Sequence, residues 1–194
     1  FGVGMIFLNS DPHQAQTART HLETELTRAG LQPAGWRTVP INPDACGEES
    51  RRTLPLIEQI FVNAPYGLET ADFERALFIA RRRTEKALEP NDPVFYITSL
   101  SARVISFKGL VMPANLPIFY LDLNDPGLES SICVFHQRFS TNTLPQWRLA
   151  QPFRYLAHNG EINTIRGNRN WALARGYTFS SPLIPDMADI RPLV

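Results

Sequence analysis

An α+β domain is predicted from the way strand-like and helix-like segments follow one another. Residues 3–8 form an apolar run of strand length, and apolar stripes at helical spacing occur over residues 15–29 and 73–88. The strand-like runs do not alternate with helices in the regular manner of a parallel sheet. Length and composition agree with this class. The 194 residues suit one domain with a substantial core, and 43% hydrophobic content at zero net charge excludes intrinsic disorder. No apolar run reaches the roughly 18 residues of a membrane span. The two cysteines, Cys46 and Cys133, are too few for a disulfide framework or a zinc site, so a reducing cytoplasm is expected. The chain opens at Phe1 on a strand and closes at Val194 without a polar tail, so it is expected to be processed or cut from something longer.

Residues 2–8 read as a strand in which glycines mark close backbone approach. Ser10-Asp11-Pro12 then supplies a capping side chain and a proline at the first helical position. Ala15, Ala18, Leu22, Leu26 and Ala29 form the apolar stripe of a helix, and Gly30 stands where such a helix ends. A short strand is expected over 36–41, and another over 57–62 within a stretch punctuated by Pro and Gly. A second helix runs from Thr70 to about Leu88, with Phe73, Leu77, Ala80 and Leu88 on one face. Its polar face holds Arg81-Arg82-Arg83, read as a solvated face, with a nucleic-acid patch as the sharper alternative.

Residues 94–108 are expected to form a hairpin turning near Leu100-Ser101-Ala102, followed by a loop-rich stretch to residue 130. Residues 131–139 alternate as a strand, with Ile132, Val134, His136 and Arg138 on one face and Cys133, Phe135, Gln137 and Phe139 on the other. A further strand is expected at 153–157, and a helix at 164–175 capped by Asn163 and stopped by Gly176. The tail from residue 180 shows no periodicity.

Of the 19 basic residues 17 are Arg; from Ser130 onward the net charge is +4, and before it −4. That bias suits a nucleic acid, an anionic small substrate, or a face turned toward an acidic partner domain. There is no Gly-x-Gly-x-x-Gly, P-loop or paired-cysteine motif, and His13, His21, His136 and His158 lack metal-binding spacing, so no metal is expected. Cys133 with His136 or His158 as base is one candidate nucleophile; a buried, inert thiol in mid-strand is the opposing reading. Cys46 lies in a polar loop without an evident partner. Arg138, at the end of a strand with an apolar face behind it, offers a guanidinium suited to a bidentate carboxylate grip. Asn159-Gly160, between a strand and a helix, reads either as an oxyanion hole or as a tight turn.

The segments HQRFSTNTLPQW, LAQPFRYLAHNGEINT and RGNRNW, between His136 and Trp171, closely resemble the glutaminase domain of glutamate synthase large subunits, within the class II (N-terminal-nucleophile) glutamine amidotransferases. GLQPAGWRTVPI, FERALFIARRR and YITSLSARVISFKG extend the resemblance over essentially the whole chain. It implies a four-layer αββα sandwich that hydrolyses L-glutamine to glutamate and ammonia. It implies that Arg138 binds the glutamine α-carboxylate, that Asn159 and Gly160 form the oxyanion hole, and that Glu161 helps to order the substrate. It also implies transfer of ammonia through a tunnel to 2-oxoglutarate at an FMN site served by an iron–sulfur cluster, neither cofactor lying in this chain. The implied partners are the remaining domains of the same subunit and a small electron-donating subunit, in the cytoplasm or a plastid stroma; neither nucleic acid nor membrane is expected.

The sequence departs from the family at two points. The family's nucleophile is a cysteine at the mature N-terminus, whereas residue 1 is Phe and its strand resembles an internal one. The family's Ser-Asp-Ser motif, which holds the substrate amino group, has no counterpart, since Asp186 and Asp189 stand in another context. The chain alone is therefore expected to be an inactive part of one domain. The competing readings are a nucleic-acid or partner-binding module using Arg166, Arg169, Arg175, Trp171 and the 81–83 triplet, or a non-catalytic glutamine sensor.

Overall fold

In chain order the elements are β1 (Gly2–Leu8), α1 (Pro12–Arg28), β2 (Gln32–Thr38), α2 (Glu48–Arg52), β3 (Leu56–Asn63), α3 (Thr70–Leu88), β4 (Tyr96–Ser101), α4 (Leu116–Phe119) and α5 (Ile165–Ala174). The structure, a computed structural model, describes residues 1–139, 144–151 and 165–192. The chain divides into two units, Phe1–Gly160 and Glu161–Val194. In the first, the strands form one antiparallel sheet in the order β2-β3-β1-β4. The expected α+β class holds, and the described part of it is one sheet with a helical layer on one face and irregular segments on the other.

β1 is apolar throughout because both of its faces are covered. Its even-numbered residues turn toward α1 and α3: Ile6 and Leu8 join Ala15, Ala18, Leu22, Leu26, Phe73, Leu77 and Ala80 in one core. Met5 and Phe7 enter a second core on the far face with Ile57, Phe119, Tyr120 and Trp147. A strand buried on both sides loses the polar alternation of a half-exposed one. Gly4 is part of this arrangement: a Cβ there would lie 2.6 Å from Ile60 Cγ2 and 3.0 Å from Leu100 Cδ1.

The helices start and stop as their local signals direct. Asp11 Oδ1 accepts the Gln14 backbone N–H at 2.8 Å, Pro12 occupies the first turn, and Gly30 follows the C-cap at φ 79°. The Leu31 N–H reaches the Leu26 carbonyl and the Gly30 N–H that of Thr27, the paired bonds of a Schellman ending. α1 is clamped to β3 by a bidentate pair, Arg19 Nε and Nη2 donating to Glu58 at 2.8 Å each. The hydrogen bond to Glu58 holds the Arg19 guanidinium above its ordinary pKa, against the desolvation that opposes it.

Several expectations change. β2 covers Gln32–Thr38 rather than 36–41, and its register shifts at Gly35, whose φ of 135° favours glycine. The hairpin over 94–108 does not form: β4, the edge strand beside β1, ends at Ser101 with no described strand on its other side. There the Ser101 hydroxyl accepts the backbone N–H groups of Arg103 and Val104 at 3.0 and 3.2 Å while donating to Glu74, which turns the chain out of the sheet. The return segment is bound by hydroxyls instead of a ladder: Thr98 Oγ1 lies 3.2 Å from the Ser106 carbonyl and Ser99 Oγ accepts the Ser106 N–H at 3.1 Å. Residues 131–139 are not a strand. Their alternating apolar side chains are solvent-exposed, Ile132 at 80% and Phe135 at 72%, and no described strand pairs with them. The strand expected at 153–157 lies outside the described residues.

The Arg81–Arg83 triplet is not a solvated face. Arg81 Nε and Arg82 Nη1 donate to the two oxygens of Glu85 at 2.6 and 2.7 Å, and Arg83 approaches Glu25 of α1 at 3.7 Å. Their side chains are only 16–23% exposed. Of these, Arg83 reaches across to α1 with a charge that the periodicity assigned to water.

The far face of the sheet is covered by segments 39–54 and 107–123. The Asn42 N–H donates to the Phe119 carbonyl at 2.8 Å and the Leu121 N–H to that of Pro40 at 3.1 Å. Arg37 of β2 grips Asp122 in bidentate fashion at 2.6 and 2.9 Å and also reaches Gln59. Under this layer Lys108 is 2% exposed, its Nζ donating to the Arg148 carbonyl at 2.8 Å and lying 4.3 Å from the Tyr96 ring centre. The second unit contains α5, a 3₁₀ turn Gly176–Thr178 that starts at the expected stop glycine, and a turn Met187–Asp189 capped by the Asp186 side chain. Asn163 and Thr164, the expected helix start, lie outside the described residues.

Gly4→Ala is expected to cost about 1–3 kcal/mol through overpacking between β3 and β4, read as a lower urea midpoint at unchanged slope. Lys108 offers a pH test. Desolvation, with the nearby Arg81 charge, lowers its pKa from 10.5 to about 7. Above about 7 the unfolded chain keeps a proton that the folded chain has released, so stability rises with pH through this window. Between pH 7 and about 8.5 the gain is on the order of 1–2 kcal/mol, and Lys108→Met should abolish it in urea melts at the two pH values.

Candidate functional site

Arg138 lies in an extended, exposed segment and not at the end of a strand backed by apolar residues. Its backbone N–H donates to His136 Nδ1 at 3.1 Å, which folds the imidazole over the neighbouring main chain. The guanidinium stays open to solvent, accessible to a small carboxylate. Asn159, Gly160 and Glu161 lie outside the described residues. The sequence-predicted set is thus placed at Arg138 only.

The two cysteines exchange the characters expected of them. Cys46 is buried at 6% exposure in the far-side core, and burial pushes its thiol pKa up, with the Arg51 charge acting in the opposite sense. A thiol held protonated in an apolar setting is a poor nucleophile. Cys133, expected to be buried in mid-strand, is exposed. An iron–sulfur cluster is held by at least two thiolates on one site, and one buried and one exposed cysteine do not fit it. Among the described residues no group of His, Cys, Asp and Glu could hold a metal ion, and no helix is long and apolar enough to cross a membrane.

Between the two motifs, the chain is fixed to the far face of the sheet at residues 147–150. Trp147, 5% exposed, meets Phe7 edge-on with ring centres 6.1 Å apart and leans on Phe119 at 5.6 Å. Its indole N–H donates to the Ser50 carbonyl at 3.1 Å, and Ala150 is 3% exposed. Sequence reasoning passed over Trp147 and treated Lys108 as a strand residue. The available signal was compositional: Lys108 is one of two lysines in a chain that uses arginine for nearly every other positive charge.

The arginines proposed for nucleic acid divide between two environments. The 81–83 triplet is engaged with Glu85 and Glu25 inside the helical layer. In the second unit Arg166 and Arg169 are exposed, and Arg175 lies over the Trp171 ring at 4.8 Å beside a shallow groove lined by Asn168, Ala172 and Phe179.

Comparison with known proteins bears on the whole chain. The family model for class-II glutamine amidotransferases matches residues 1–194. The chain is 48% identical to a glutamate synthase (NADPH) large chain of Azospirillum brasilense over 99% of its own length and 13% of that protein. It is 47% identical to ferredoxin-dependent glutamate synthase 2 of Synechocystis over 90% of this chain and 11% of the relative. The glutamate synthase (NADPH) large chain of Bacillus subtilis is 38% identical over 100% of this chain and 13% of its own length. The chain therefore spans roughly an eighth of the length of the curated relatives it matches. By this family match over its full length, the chain belongs to the class-II glutamine amidotransferases.

Proposed function

We propose that the chain is the glutaminase portion of a glutamate synthase large subunit, which hydrolyses L-glutamine to glutamate and ammonia. The observation that carries this reading is identity of 48% and 38% to two such large chains across essentially all of its residues. The 194 residues are proposed to act as one partial domain of this class within the larger subunit.

Each candidate residue has a role that its chemistry suits. Arg138 carries an exposed planar guanidinium, whose paired N–H donors match the α-carboxylate of glutamine. Attack on the glutamine side-chain amide places negative charge on its oxygen. The Asn159 side-chain amide and the Gly160 backbone N–H would donate to that oxygen, and donors fixed in advance stabilise a charge that develops only in the transition state. Glu161 would help to order the bound substrate. With Cys46 buried and its thiol pKa raised, the nucleophile and the anchor for the substrate amino group are proposed to come from outside these residues.

The released ammonia is proposed to pass to 2-oxoglutarate at a separate site, where FMN and an iron–sulfur cluster belong to other parts of the subunit. The relatives' names include both NADPH and ferredoxin, so these residues leave the donor open and an electron-donating partner remains part of the proposal. The same holds for location, since bacterial and chloroplastic proteins are both among the relatives. Engagement of Arg81, Arg82 and Arg83 with carboxylates counts against a nucleic-acid role for that triplet.

In the full-length subunit, Asn159→Ala should lower glutaminase kcat by roughly 10²–10³-fold, the usual cost of one lost oxyanion donor. Arg138→Lys should chiefly raise KM, because it weakens a grip already made in the ground state. Unchanged steady-state kinetics in both variants would sink the site assignment. The 194-residue chain by itself is expected to release no ammonia from glutamine, which a coupled ammonia assay reads directly.

A further inference from the structure

No described strand pairs with residues 131–139, so no described ladder sets the direction of the main chain that carries Arg138. One bond does act there. The Arg138 backbone N–H donates to His136 Nδ1 at 3.1 Å. His136 is half-buried, whereas residues 131–135, Gln137 and Arg138 are exposed, so its imidazole lies against the chain rather than out in water.

The bond closes the same ring as an Asx turn. Counted from Nδ1 back through the His136 side chain and forward along the main chain to the Arg138 N–H, the ring has as many members as when the Oδ1 of Asn or Asp accepts the N–H two residues on. Asn9, Asn42 and Asp125 make that bond in this chain, at 3.0, 3.1 and 2.7 Å. Such a ring restrains the backbone dihedrals of Gln137, and with them the peptide plane from which Arg138 departs. A histidine does this without adding negative charge. A carboxylate at position 136 would accept the same N–H, but it would stand two residues from the Arg138 guanidinium and compete with any anion bound there. In the neutral imidazole one nitrogen accepts and the other carries the proton, so use of Nδ1 as acceptor leaves the proton on Nε2.

We infer that His136 is a positioning residue for glutamine binding: by accepting the Arg138 backbone N–H, its Nδ1 sets how the Arg138 side chain leaves the main chain toward the substrate α-carboxylate. This inference rests on the glutaminase reading of Arg138. His136 need not touch glutamine. The carboxylate grip is made in the ground state as well as in the transition state, so loss of the bond raises KM and leaves kcat nearly unchanged.

The test follows steady-state ammonia release from glutamine by the full-length subunit. His136→Leu should raise KM about three- to tenfold, the order expected for one lost hydrogen bond. His136→Asn, whose Oδ1 takes the place of Nδ1 in the ring, should return KM to within about twofold of the parent; His136→Gln, whose acceptor lies one bond farther out, should not. These two variants decide the question if His136→Leu does not fold. Added to Arg138→Lys, His136→Leu should raise KM little further, because it acts through that side chain. Equal KM in the Asn and Gln variants, or a His136→Leu effect that is undiminished beside Arg138→Lys, overturns the inference. So does a lower thermal midpoint with KM unchanged, the outcome of a merely structural role. If Arg138→Lys raises KM while all three His136 variants match the parent, the positioning falls and the glutaminase reading stands. If neither Arg138→Lys nor any His136 variant alters KM, both fall.

Discussion

Because β1 has water on neither face, every other element of the first unit serves one side of it or the other. Met5, Ile6, Phe7 and Leu8 are each 0% exposed, and full burial of such side chains is worth roughly 1.5–3 kcal/mol apiece. Antiparallel pairing with β3 and β4 satisfies the strand's backbone groups, which would otherwise be costly to desolvate. The helical layer covers the even-numbered positions; an irregular layer, zipped by main-chain bonds between the neighbourhoods of Pro40 and Phe119, covers the odd ones. The glycines of β1 belong to the same constraint, since Gly4 lets Ile60 and Leu100 close over the strand from either side.

On that scaffold the arginines act as joints. Arg19 ties α1 to β3, Arg37 ties β2 to the far-side layer through Asp122, and Arg81 and Arg82 share Glu85 within α3. A planar fork bonded to a carboxylate constrains angle as well as distance. Partly exposed pairs of this kind contribute modestly to stability, so their consequence here is orientation of one element on another. Lys108 is the exception to the arginine rule and the most deeply buried cation of the described residues. Its Nζ donates to a backbone carbonyl, that of Arg148.

Glutamine hydrolysis is the reading proposed for this chain, and of its candidate site residues the structure describes Arg138. Arg138 lies in an exposed segment, and Trp147 is buried in the far-side core. Residues 131–139 pair with no described strand, and the next root described after them is the buried segment at 147–150. The aromatic seat of Phe7, Phe119 and Trp147 connects that root directly to the central strand. The residue pattern that buries β1 thus also seats residues 147–150.

The sequence by itself determined whatever depends on neighbours in the chain. The Asp11-Pro12 start and Gly30 stop of α1, the apolar stripe of α3, β1 as a strand with close backbone approach at its glycines and the family motifs were all legible, because capping, periodicity and motif spacing are local properties. Only the tertiary structure decided what depends on partners. Residues 131–139 alternate like a strand, yet a ladder requires a second strand, and alternation cannot announce whether one is present. Residues 94–108 read as a hairpin, yet the Ser101 hydroxyl takes the backbone N–H groups of Arg103 and Val104 and turns the chain out of the sheet. Arg81, Arg82 and Arg83 looked solvated because charge favours water in isolation. Glu85 stands in the same helix, but the packing that leaves these side chains only 16–23% exposed and brings Glu25 of α1 to Arg83 is not announced by periodicity. Lys108, read as a strand residue, is buried with its Nζ on the Arg148 carbonyl, 40 positions away in the chain.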